Sequence, residues 1–280
     1  MTQTKIGHEK LKEFEAFLRK EEKSAATIEK YLRDVRYFLT FVSKRAINKE
    51  LTLSYKMELK EHYAITSTNS MIASLNSFLR FVGLRDCCVK QFRVQKHTFC
   101  AQEKELTRKE YVRLVSAART KGSERLSLLI ETICGTGIRV SELQYITIEA
   151  ARRGAAIVSC KGKTRTVFLP SKLQKKLLGF AKNHNISTGP IFITGRGRPM
   201  NRCNIWREMK SLCERADVAP QKVFPHNLRH LFARTFYGLE RDIAKLADLL
   251  GHSSINTTRI YIMTTGAEHR QKIERMQLIL

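Results

Sequence analysis

The sequence predicts a mainly α-helical chain in two parts: a small N-terminal helical bundle, then a mostly helical domain carrying one β-hairpin. Three observations predict it. All five prolines (Pro170, Pro190, Pro199, Pro220, Pro225) lie beyond residue 169, which leaves the front half free to form long helices. Apolar residues in that half recur at helical spacing. Residues 157–169 instead read as two β-rich runs around a Lys-Gly turn.

The first helix is short and carries Leu11, Phe14, Phe17 and Leu18. The clearest spans residues 25–43, where Ile28, Tyr31, Leu32, Val35, Phe38, Leu39 and Val42 follow the i, i+3, i+4, i+7 rule and Ser24 is placed to cap. A weaker helix is expected around Met57 to Tyr63. Another, with Met71, Leu75, Phe78, Leu79 and Val82 on one stripe, ends at Gly83, a natural residue to close a helix. The bundle is thus expected over residues 1–88. Residues 89–106 show no period and alternate basic with apolar side chains, as an extended interdomain linker would. The second domain, 107–280, opens on a capping box, Thr107 to Glu110, with Tyr111, Leu114, Val115 and Ala118 on one face. A second apolar helix covers Leu126 to Cys134. The hairpin follows, with strands at Ile157–Cys160 and Thr166–Leu169, and helices resume from residue 171.

Charge points to a partner. The chain has 51 Lys+Arg against 26 Asp+Glu, a net charge of +25. Both parts are basic: residues 1–100 hold 19 basic and 11 acidic side chains, and the remainder holds 32 and 15. A hydrophobic content of 42% excludes a disordered basic tail, so folded domains with a shared polyanionic partner, nucleic acid, are expected. No apolar run is long enough for a transmembrane helix, and Met1–Lys5 lead into charged residues rather than a signal core. Seven cysteines without a C-x-x-C read as reduced thiols. The expected setting is cytoplasmic, at the nucleoid of a bacterium.

Four segments carry more polar chemistry than packing requires. In Gly135-Thr-Gly-Ile-Arg139-Val-Ser-Glu-Leu143, two glycines break an apolar helix and Arg139 stands where the next should begin, a position suited to a phosphate. Lys161 and Lys163 flank a hairpin turn and could enter a DNA groove, although turn lysines are commonly just solvated. In His226-Asn-Leu-Arg229-His230, His226 and Arg229 share a helix face, with Leu228, Leu231, Phe232 and Phe236 on the buried side. His226 and His230 have the spacing of a metal pair but lack an accompanying third ligand, so no metal is expected. Finally Leu249-Leu-Gly-His252 is followed nine residues after the histidine by Tyr261. A tyrosine is ordinarily a packing residue; beside this many cations it becomes a candidate nucleophile, given that phenols ionise only near pH ~10 without help.

Together these residues resemble the tyrosine recombinases of the phage integrase family, in particular its compact two-domain, Xer-like members. Gly-Thr-Gly-Ile-Arg139-Val-Ser-Glu-Leu resembles the first arginine box. Cys-Lys161-Gly-Lys-Thr-Arg is similar to the hairpin bearing the family's catalytic lysine, with Lys161 the better match and Lys163 the fallback. His226-x-x-Arg229-His230-x-Phe-Ala is similar to the second box, and His252 with Tyr261 to its end. In the front part, Ser24-x-x-Thr27-x-x-x-Tyr31 and the 66–83 helix resemble the family's SAM-like core-binding domain. One departure is Glu240-Arg241, which stands where many relatives have a turn glycine. No further N-terminal domain for accessory arm sites is expected.

The resemblance implies that Tyr261 attacks a DNA phosphodiester, forming a 3′-phosphotyrosyl bond and releasing a 5′-hydroxyl. Arg139 and Arg229 would hold the non-bridging oxygens, Lys161 protonate the leaving oxygen, His226 assist Tyr261, and His252 bond the phosphate. No cofactor is implied. The partners are a double-stranded recombination site and, on DNA, a homo-tetramer whose apolar tail (Ile273, Met276, Leu278, Ile279, Leu280) docks on a neighbouring protomer. The implied role is integration or excision of a mobile element, or Xer-like resolution. A type IB topoisomerase would use much the same residues but reseal the same strand, and a DNA-binding regulator without catalysis would not need Tyr261.

Overall fold

The computed structural model describes residues 9–43, 45–94, 105–160, 163–262 and 274–276. The chain divides into two compact units, Met1–Lys96 and His97–Leu280. Among the described residues no helix is long and apolar enough to cross a membrane.

The first unit is a bundle of α1 (Lys10–Lys20), α2 (Ala25–Val42), α3 (Lys49–His62) and α4 (Ile65–Phe81). Ser24 Oγ accepts from Thr27 N and starts α2. At the end of α4 the Gly83 N–H donates to Arg80 O and the Leu84 N–H to Leu79 O, with Gly83 at φ +81°, a Schellman closure. The core is Phe14, Leu18, Val35, Phe38, Tyr55, Leu59, Phe78 and Leu79 with their neighbours. Phe14 meets Phe78 edge-on at 5.2 Å. α3 starts well before Met57, where the pattern is weak, because Asn48 Oδ1 caps it from Leu51 N at 2.8 Å. One buried carboxylate ties α2 to α4: Asp34 accepts from Lys30 Nζ at 2.6 Å and from Ser74 Oγ at 2.8 Å.

The basic segment beginning at Val89 is non-helical through Val94 and lies along α4. Asn76 accepts from Val89 N at 2.9 Å and donates to Val89 O at 2.8 Å, while Asn69 does the same with Phe92 at 2.8 and 2.9 Å. The geometry is commensurate. Seven helical residues rise about 10.5 Å, and three extended ones span about 10 Å. Each asparagine therefore acts as a one-residue strand partner.

The second unit is built around α6 (Glu124–Thr136), buried on nearly all sides through Leu126, Leu128, Leu129, Ile130 and Ile133. Against it pack α5 (Arg108–Thr120), which opens on the Thr107–Glu110 capping box, α8 (Ser171–Asn183) and α10 (Pro225–Glu240). A 3₁₀ turn (Val140–Tyr145) and α7 (Ile148–Arg153) lead into β1 (Ala155–Cys160) and β2 (Lys163–Phe168), an antiparallel pair with Val158 opposite Arg165. Residues 184–201 form an irregular stretch pinned by isolated bridges, interrupting the helices that otherwise dominate from residue 171. α9 (Arg202–Lys210) follows. After α10 come α11 (Ile243–Leu250) and α12 (Ile255–Ile262), which form a small satellite core with Ala233, Leu246, Leu250 and Tyr261.

Candidate active site

Arg139 is placed by the end of α6. The helix runs through Gly135 and stops at Gly137, whose φ of +64° is left-handed; a Cβ there would lie 2.5 Å from Phe232 Cδ1. Of the two glycines, only the second breaks the helix. Arg139 then caps the 3₁₀ turn, and Glu142 binds it twice, accepting from Arg139 N at 2.9 Å and from Nη1 at 2.8 Å. Arg139 Nη2 also donates to Gly251 O at 3.3 Å. Although burial pushes the Glu142 carboxyl upward, the bonds from Arg139 and the charge of Arg165 hold it below the usual carboxylate range.

Arg229 is 1% exposed, among the largest fully buried side chains. Its position one turn into α10, behind Pro225 at the helix start, aims it inward. Nη1 donates to Gly137 O, and Nη2 to Leu250 O at 2.7 Å and to His252 Nε2 at 3.0 Å. Nε has no hydrogen-bond partner among the described residues. Burial first, then the charge of Arg139, lowers its pKa to about 10, so it stays cationic at neutral pH.

His252 follows Gly251, the left-handed close of α11 at φ +64°. Its tautomer follows from its partners. An arginine can only donate, so Nε2 is the acceptor and the proton sits on Nδ1, which donates to Thr258 Oγ1 at 2.9 Å. Burial and the charges of Arg229, Arg139 and Arg165 lower its pKa to about 4. Tyr261, 5% exposed on α12, is surrounded by rings. His252 stacks on it at 5.4 Å and 17°, His230 lies at 4.3 Å, and His226 presents Nε2 at 3.5 Å from the phenolic oxygen. Desolvation, then Arg229, Arg139 and Arg202, hold His226 below its ordinary value, so it is a neutral base at pH 7.

The structure thus brings together Arg139, His226, Arg229, His252 and Tyr261. A cleft of about 670 Å³ opens beside them, lined by Arg139, Glu142, Arg165, Asp248, His252 and Thr257. Lys161 lies outside the described residues. Of Lys163 only the backbone, paired with Cys160, is described. Of the apolar tail, Ile273, Leu278, Ile279 and Leu280 also lie outside the described residues. Glu142, Arg165 and Thr258 belong to the constellation and were not assigned from the sequence. The first two stood inside the motifs already noted, and their burial is what marks them out. At the departure from the family pattern, Arg241 takes the left-handed turn itself, at φ +56°, where a glycine would do so without strain.

The family model described as the phage integrase family matches residues 104–268, and the one described as the phage integrase N-terminal SAM-like domain matches 11–85. This chain belongs to the phage integrase family. It is a tyrosine recombinase of the Xer type, similar to the tyrosine recombinase XerA of Pyrococcus furiosus (28% identical, covering 100% of this chain and 98% of that one). It is also similar to XerA of Thermococcus kodakarensis (30% identical, 97% of this chain and 96% of that one). The fold matches that of a lambda integrase dimer bound to a COC′ core site, with TM-score 0.75 and 16% identity over 93% of this chain and 96% of that chain. The expected bacterial source gains no support, since these XerA relatives are archaeal.

Proposed function

We propose that this chain cuts and rejoins DNA at specific sites with Tyr261 as nucleophile and Arg139, Arg229, His226, His252 and Lys161 as its catalytic set. As a tyrosine recombinase it is a DNA strand transferase. The observation that carries the assignment of residues is the seating of a buried tyrosine with its phenolic oxygen 3.5 Å from a neutral His226 and its ring stacked on His252, which Arg229 holds.

Cleavage begins with the Tyr261 Oη–P bond forming as the tyrosine proton passes to His226 Nε2. The P–O5′ bond breaks and Lys161 supplies the proton to the 5′-oxygen. Arg139 and Arg229 stabilise the non-bridging oxygens as charge grows on the pentacoordinate phosphorus. The phosphotyrosyl ester conserves the bond energy, and the 5′-hydroxyl of the partner strand reverses the step.

The remaining organisation is assigned on the same reading. Residues 1–88 form the core-binding domain, 89–106 the linker and 107–280 the catalytic domain, and both basic parts contact one duplex, so affinity falls steeply with salt. Exchange between two duplexes needs four cuts, one from each protomer of a tetramer, with the apolar tail docked in trans. Two experiments test this. Incubating the protein with two copies of its own site yields strand-exchanged products, whereas relaxation of supercoils alone points to a topoisomerase. Truncation before Gly266 disturbs synapsis and the regulation of cleavage; unchanged behaviour would rule out docking in trans.

A further inference from the structure

Arg165 stands on β2 and has no role in the chemistry above. Its side chain is only 13% exposed, whereas its strand neighbours Thr164 and Thr166 are exposed. Nη2 donates to Glu142 Oε2 at 2.6 Å and Nη1 to Leu249 O at 2.7 Å. Its stem crosses Gly251 so closely that a Cβ on that residue would lie 2.3 Å from Arg165 Cδ. One side chain therefore grips both segments that build the phosphate pocket: Glu142 also holds Arg139, and Leu249 leads directly into the Leu250 carbonyl and the His252 ring that meet Arg229. Charge balance does not require it, because Arg139 alone neutralises Glu142. What Arg165 adds is a fixed place for its strand.

The register relates that place to the end of the hairpin. Val158 pairs with Arg165 and the ladder continues to Cys160 opposite Lys163, so Lys161 directly follows the last paired residue of β1. Tyr145 Oη braces the same strand by donating to Ser159 O at 2.9 Å. We infer that Arg165 is a positioning residue for the leaving-group side of the reaction, anchoring the lysine-bearing end of the hairpin against Glu142 and Leu249. The inference rests on the reading of Lys161 as the proton donor.

The chemistry offers a selective readout. An ordinary 5′-oxygen must receive a proton as the P–O5′ bond breaks. A bridging 5′-sulfur leaves as a thiolate and needs none, thiols being far stronger acids than alcohols. The experiment is single-turnover cleavage of a nicked duplex bearing the protein's own core site, with oxygen or sulfur bridging at the scissile phosphate. Arg165→Met is expected to slow the oxygen substrate by roughly 100-fold, in the range of a lost general acid, and the sulfur substrate by less than about threefold, matching Lys161→Ala. Arg165→Lys, which keeps the charge and one bond, falls between and is also rescued by sulfur. Equal losses on both substrates, or no loss on oxygen, overturn the inference. Should Arg165→Met fail to fold, the oxygen-to-sulfur ratio of Arg165→Lys decides by the same criteria. Sulfur rescue of Lys161→Ala but not of the Arg165 variants rejects the positioning role alone. No rescue of Lys161→Ala rejects the lysine's role and this inference with it.

Discussion

Arg229 Nη2 donates to His252 Nε2 at 3.0 Å. The relationship holds the imidazole in the tautomer that presents a lone pair, not a proton, to the pocket. A phosphate oxygen entering the site competes for the same guanidinium, and His252 can serve it from Nε2 only once protonated. His252→Ala is therefore expected to slow cleavage by about 100-fold, the scale of one lost donor to a charged transition state, while duplex affinity, set by many phosphate contacts, stays within about threefold. Filter binding and single-turnover cleavage on the same DNA check the pair.

The same cations give the free protein a pH dependence with a definite sign. Folded His230 and His252 have pKa values of about 4 against 6.5 for the unperturbed side chain. Between those values the unfolded chain binds protons that the folded chain refuses, so stability falls as pH drops from about 6.5 to about 4. Glu142 acts in the same direction lower down: its carboxylate is favoured by folding, and that contribution is lost as pH falls through its depressed folded pKa. Melting temperature against pH should show this slope, flattened in His252→Ala. Phosphate binding reverses the field at His252, so calorimetry in buffers of different ionisation enthalpy should show proton uptake on binding DNA.

Two glycines in one motif should respond oppositely. Gly137→Ala forces a side chain into left-handed backbone and against Phe232, and displaces the carbonyl that receives Arg229. A loss of roughly 2–4 kcal/mol in chemical denaturation is expected, with cleavage abolished. Gly135 is helical and a Cβ there meets nothing within 4 Å, so Gly135→Ala should stabilise by about 0.5–1 kcal/mol.

At the end of α10, Arg241→Gly should raise stability by about 1 kcal/mol, relieving left-handed backbone without touching the cleft. A lower melting temperature would show that the arginine side chain does more than occupy the turn.

The asparagine ladder is testable by exchange. Asn76→Ala leaves the Val89 N–H and C=O without their partners, at about 1–3 kcal/mol. Hydrogen exchange should accelerate at Val89, and at Phe92 in Asn69→Ala. Unchanged protection would mean that packing alone holds the segment.

How far the sequence reached depended on which forces leave a local trace. The stripe from Ile28 to Val42, the cap at Ser24 and the closure at Gly83 follow from periodicity and backbone chemistry, and each forms as expected. The first turns of α3 are marked by the Asn48 cap and by Leu51 and Tyr55 one turn apart, a short stripe diluted by Lys49, Glu50, Thr52 and Ser54. Tyr261, Arg139, Arg229 and the two histidines are legible as motifs, and tertiary packing brings them together, with Arg139 and His252 lining the cleft. Glu142, Arg165 and Thr258 act through partners far away in the chain, as in the bond from Arg165 to Leu249, and such long-range pairing has no local pattern. The Asn69 and Asn76 ladder is hidden for the same reason.

The central claim is that Tyr261 is the nucleophile. The most direct measurement is trapping on a nicked suicide duplex containing the protein's own recombination site, followed by mass spectrometry of the DNA-linked peptide. The account predicts a covalent adduct on Tyr261, through a 3′-phosphate, that is absent in Tyr261→Phe. An adduct on another residue, an adduct that persists in Tyr261→Phe, or none from the wild-type protein on that site would contradict it.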